Sequence, residues 1–164
     1  MEPRQFSLIL GNERLPLDLH AVAADAEGRL AGAKARDIAF RFTYRHIPLS
    51  VRIRAGDSPV VEIQGQIGPM PFSAESASAR VTLTAVLAAA NEHLGETFRV
   101  VGGRIRISGT VAPDNPVTAV GLVTALTAFL LPRKPYLTII DSVLAQLAAG
   151  PPRRPRQRAG MAKT

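Results

Sequence analysis

The chain contains no cysteine and no tryptophan, and only three of its 164 residues are histidine. Without cysteine there is no disulfide scaffold, no thiolate zinc or iron–sulfur centre and no cysteine nucleophile. His20, His46 and His93 are far apart, and none belongs to an H-x-x-x-H pair, so no metal-ligand set is read. Neither the glycine-rich phosphate loops nor the G-x-S-x-G nucleophile turn occurs. These absences leave no catalytic residue, metal or cofactor to nominate, and the expectation is a protein that binds rather than catalyses. Long hydrophobic runs are missing too. The most apolar stretch, residues 117–131, would span about 22 Å as a helix, short of the roughly 30 Å hydrocarbon layer. Glu2, Arg4, Asn12, Glu13 and Arg14 interrupt any secretory leader near the start, so a cytoplasmic location is expected.

Acid is missing from one end. Residues 151–164, PPRRPRQRAGMAKT, hold Arg153, Arg154, Arg156, Arg158 and Lys163 and no carboxylate. All thirteen carboxylates lie in residues 1–150, against fifteen Arg and Lys there, so most of the net charge of +7 belongs to the tail. With three prolines and one large apolar residue, this tail is expected to be disordered, a solvated end or a contact for nucleic acid or another polyanion. Residues 1–150 are expected to form one α+β domain, with residues 1–37 its least legible part. There, FSLIL reads as a strand or a helix start, and residues 17–26 as a short helix.

What is present is alternation. In IAFRFTYR, Phe40, Phe42 and Tyr44 alternate with Arg41, Thr43 and Arg45, a period of two that marks a strand with one apolar face. After a turn at residues 46–48, LSVRIRA repeats the pattern. VVEIQGQI follows Gly56-Asp57-Ser58-Pro59, with Gly65 on the inner face where a helix backbone would fit. Ser73 or Ser76 then begins a helix carrying Leu83, Val86, Leu87, Ala90 and Leu94 at helical spacing, with Gly95 as its stop. FRVV and RIRI flank Gly102-Gly103, a two-residue hairpin signal that sends Phe98, Val100, Ile105 and Ile107 inward. Asn115 and Pro116 suit the start of a helix over 117–131, Pro132 and Pro135 break it, and residues 136–149 resume it.

From residue 38 the order is β-β-β-α-β-β-α. Each alternating strand needs cover on one face only, which predicts a two-layer α+β domain: an antiparallel sheet of about five strands packed by helices on one face. That order, with the segment GPMPFSAESASARVTLTAVLAAAN between strand and helix, resembles the type III secretion chaperone-like family across residues 38–149. The resemblance implies a small bacterial protein that dimerises and holds partly folded segments of another protein. The chain departs from the family in its basic charge and in lacking a legible N-terminal helix.

Two surfaces follow from the pattern. Arg41, Arg45, Arg52, Arg54, Arg99, Arg104 and Arg106 all alternate to the outer face of the sheet, opposed only by Glu62. Guanidinium forks there suit carboxylates or phosphates, whereas the inward aromatics leave no platform for stacked bases. The bland alternative is a solvated face. Leu122, Leu126, Phe129 and Leu130 are candidates for an apolar groove beside the helices, or else simply core. The leading expectation is a non-enzymatic, chaperone- or adaptor-like protein-binding module that forms a homodimer. The alternative is a binder of nucleic acid or another polyanion through the arginine face and the tail.

Overall fold

The computed structural model describes residues 28–30, 37–54 and 56–149, and the backbone of 6–10 and 13–17. The meander comes first in the main sheet: β3 (Ile38–Tyr44), β4 (Ile47–Arg54) and β5 (Val60–Pro69). Helix α1 (Ser73–Leu94) leads into the hairpin β6 (Phe98–Val101) and β7 (Arg104–Val111). Helix α2 (Ala119–Leu130), a 3-10 turn at Leu131–Arg133 and α3 (Lys134–Ala149) complete the order β-β-β-α-β-β-α. The five strands form one antiparallel sheet in the spatial order β3-β4-β5-β7-β6.

Strict alternation writes the layers. In β3 and β4 every second residue is buried, and Tyr44, Leu49, Val51 and Ile53 are at most 1% exposed. The helices lie on that face. Phe129 of α2 sits so close over Gly109 of β7 that a Cβ there would fall 2.4 Å from its ring. Leu144 of α3 covers Gly68 of β5 at 2.7 Å by the same construction. Gly65 is crowded differently from the expectation. No helix backbone approaches it; Leu49 and Ile107, its cross-strand neighbours, lean over the gap its missing side chain leaves.

The start of α1 resolves the choice between Ser73 and Ser76 by using both. A first turn begins at Ser73, with the Phe72 amide donating to the Glu75 carboxylate at 3.0 Å. Ser76 then leaves the helical region (φ −162°, ψ 98°), and its hydroxyl accepts from the Ala79 amide at 3.2 Å, the geometry of an N-cap for the longer part. The start of α2 differs from the expectation. Thr118 is the cap, its hydroxyl accepting from the Gly121 amide at 3.0 Å, while the Asn115 amide donates instead to the Asp57 carbonyl at 2.9 Å. The first β turn also moves: Arg45 and His46 are its corner, both at positive φ (46° and 57°), and Ile47 and Pro48 already belong to β4.

FSLIL is a strand, β1 (Phe6–Leu10), paired antiparallel with β2 (Glu13–Leu17) in a separate two-stranded sheet. The rest of the helix expected over 17–26 lies outside the described residues, as does the tail. Residues 28–30 dock beside α2: Leu30 donates to the Val117 carbonyl and Ala119 to the Gly28 carbonyl, each at 3.0 Å. Among the described residues no helix is long and apolar enough to cross a membrane.

Candidate functional site

The register assembles the outer face row by row. Arg41, Ser50, Gln64 and Ser108 lie side by side across β3, β4, β5 and β7. The next row is Ala39, Arg52, Glu62 and Thr110. Toward the other edge, Gln66 of β5 faces Arg106 of β7, which faces Arg99 of β6; Arg104 pairs with Val101. Arg41, Arg52, Arg54, Arg99, Arg104 and Arg106 are all exposed. They form two groups separated by the neutral Gln64, Gln66 and Ser108. With strands about 4.8 Å apart, the face is roughly 19 Å wide, so a single extended ligand can touch both groups.

The β3–β5 group surrounds a cleft of about 550 Å³. Its polar lining is Arg41, Ser50, Arg52, Glu62 and Gln64, with Ala39, Phe40 and Val51 between them. Glu62 stands directly opposite Arg52 but pairs with Arg54, at 2.8 Å. Among the described residues Arg41 and Arg52 have no carboxylate partner, and neither do Arg104 and Arg106. Arg99 is paired with Glu96. The lining thus presents two unengaged cations, one carboxylate and two neutral groups that can both donate and accept.

Arg45 does not belong to this face. The corner turns its side chain toward the helix layer, where Nη1 donates to the Thr138 hydroxyl at 2.7 Å and Nε lies 3.5 Å from Asp141. His46 Nε2 lies 3.4 Å from the other Asp141 oxygen. Asp141 is 14% exposed and His46 71%. This cluster fastens a corner whose two residues sit in the left-handed region, a conformation that costs side-chain-bearing residues roughly 1–3 kcal/mol each. An exposed histidine beside a carboxylate engaged in anchoring is a structural joint, and no group of three or more His, Asp or Glu able to hold a metal occurs among the described residues.

The apolar groove is not there. Leu122, Leu126 and Leu130 are 0% exposed and Phe129 is 1% exposed, so all four are core. α2 turns Leu122, Ala125, Leu126, Phe129 and Leu130 into the core, while Val120, Thr124 and Ala128 line its exposed side. Val100, expected inward, is 45% exposed, because β6 is an edge strand and the helix layer ends before it. Arg153, Arg154, Arg156 and Arg158 lie outside the described residues.

One polar network escaped the sequence pattern. Arg133, in the turn between α2 and α3, donates to the Phe129 carbonyl at 2.6 Å and to the Thr97 hydroxyl at 3.0 Å. Its guanidinium stacks 3.8 Å from the centroid of the Phe129 ring. Burial lowers its pKa from the usual arginine value, yet an arginine stays charged at physiological pH. Asn91 of α1 completes the joint: its amide oxygen accepts from the Thr97 and Phe98 amides, and its NH₂ donates to the Phe98 carbonyl. Long-range pairings of this kind, 36 residues apart for Arg133 and Thr97, have no periodic signature in a sequence.

Comparison of the chain with protein-family models, curated proteins and solved structures finds no match in any of the three.

Proposed function

We propose that this protein is a non-enzymatic binding module that engages an acidic polypeptide segment on the outer face of its sheet. The observation that carries the reading is the cleft between β3 and β5, where Arg41 and Arg52 are unengaged while Glu62, Ser50 and Gln64 supply acceptors beside them. A polypeptide brings both carboxylates for the arginines and N–H donors for the acceptors. A phosphate backbone brings acceptors only and has no N–H to offer Glu62, Ser50 and Gln64. Phe40, Phe42, Tyr44 and Phe98 are buried, so among the described residues the strands of this face present no exposed ring on which single-stranded bases could stack. The element order through which the chain resembles the type III secretion chaperone-like family supports a protein-holding role in the same sense. With Leu122, Leu126, Phe129 and Leu130 in the core, the contact is polar and charge-assisted rather than an apolar groove.

Fluorescence anisotropy with a labelled Asp/Glu-rich peptide tests this. Binding is expected to weaken steeply with salt. The double charge reversal R41E/R52E is expected to weaken it at least tenfold, about 1.4 kcal/mol or more. Tighter binding of duplex DNA than of the peptide, with R41E/R52E without effect on the peptide, would overturn the reading and leave the polyanion alternative standing.

A further inference from the structure

Three of the seven large apolar side chains that are exposed among the described residues, Phe72, Val100 and Val101, lie at or beside the β6–β7 turn. Residues 99–104, at the β6–β7 turn, are six consecutive exposed residues. Val100 and Val101 there are 45% and 46% exposed. The Met70 amide donates to the Gly103 carbonyl at 2.8 Å, which brings the β5–α1 connection, and with it Phe72 at 66% exposure, alongside the tip. Arg80 steadies that connection by donating to the Pro71 carbonyl at 2.9 Å.

The apolar groups lie on both sides of the hairpin. Val100 shares the inward face with Phe98, and Val101 shares the outer face with Arg99. A fluid interface receives both faces of such a tip at once. Arginines flank and follow the tip. Arg104 stands level with Val101, and the Arg99–Arg106 pair follows two residues behind, about 7 Å along the strands. An apolar tip that enters an interface by about 5–10 Å would hold the Arg99–Arg106 pair at the level of lipid phosphates, and the long Arg104 stem can carry its guanidinium back to the same level.

We propose that the β6–β7 tip, with Phe72 beside it, seats the protein on an anionic lipid surface. Val100, Val101 and Phe72 enter the headgroup boundary, and Arg104 and Arg106, which have no carboxylate partner among the described residues, take the phosphates. The surface is separate from the β3–β5 cleft and does not depend on what that cleft binds.

Co-sedimentation of the full chain with vesicles tests the proposal, using phosphatidylcholine alone and phosphatidylcholine in which about one lipid in three is phosphatidylglycerol. The protein is expected to partition onto the anionic vesicles only. V100S/V101S keeps every charge, the basic tail included, and is expected to reduce partitioning about fivefold or more. R104Q/R106Q is expected to reduce it comparably. Full binding by V100S/V101S would overturn the proposal and assign attachment to charge elsewhere. So would absence of binding to anionic vesicles, or R104Q/R106Q weakening an acidic soluble peptide while leaving vesicle binding intact. Because the chain has no tryptophan, V101W gives an independent readout: its emission should shift blue with anionic vesicles, and an unshifted spectrum with bound protein contradicts insertion at the tip.

Discussion

At the scale of single residues, Arg133 ties the end of α2 to the start of β6. It satisfies a carbonyl at the end of α2, a hydroxyl at the start of β6 and the face of Phe129, three tasks that need a planar fork. R133A is expected to cost roughly 1–3 kcal/mol in urea denaturation, since it leaves the Thr97 hydroxyl, on a residue only 3% exposed, without that donor. R133K should recover little of the loss, because an ammonium cannot bridge both acceptors and stack. The position of Leu126 makes a second prediction. As a fully buried residue, its replacement by alanine should cost about 2–5 kcal/mol, whereas a groove residue would change binding and leave stability near the wild-type value.

At the scale of elements, strand period was legible and edges were not. Alternation in IAFRFTYR and LSVRIRA exposed β3 and all but the first two residues of β4, because a side chain's face is fixed by the parity of its position. Parity also placed six of seven arginines on the outer face. It failed for Arg45, where the corner breaks the alternation, and for Val100, where the face was read correctly but the cover runs out. Nor does parity show how an edge is closed. In β6 the outward backbone groups of Phe98 are taken by the Asn91 side chain, which imitates a neighbouring strand. An exposed edge invites pairing with another chain. N91A should therefore do two things: lower stability by roughly 1–3 kcal/mol, and promote self-association visible by size-exclusion chromatography. A stable monomer at all concentrations would show that the edge needs no such closure.

At the scale of the whole molecule, the layer arrangement followed from the order of elements, because one-sided strands admit helices on one side only. The functional surface was half legible for the same reason. Sequence parity collected the arginines, but their division into a cleft and a tip depends on the strand order β3-β4-β5-β7-β6, which separates β4 from β6 by two strands. That order also ranks local stability. β4, β5 and β7 are paired on both sides, while β3 and β6 are edges. Hydrogen exchange read by mass spectrometry should find peptides from β5 slowest and residues 99–104 among the fastest. Protection of 99–104 equal to that of β5 would contradict the exposed tip.

The bond between Thr97 and Arg133 has a consequence for how the chain is made. Its partners are 36 residues apart, so at about 5–20 residues per second the ribosome needs roughly 2–7 s to deliver the second after the first. In that interval the meander and the β6–β7 hairpin can pair, but α2 and α3, which shield Gly109 and Gly68 from solvent, have not all emerged. The nascent sheet thus waits with α1 as its one available helical cover, and the arrival of α2 and α3 determines whether it closes on itself or on a neighbour.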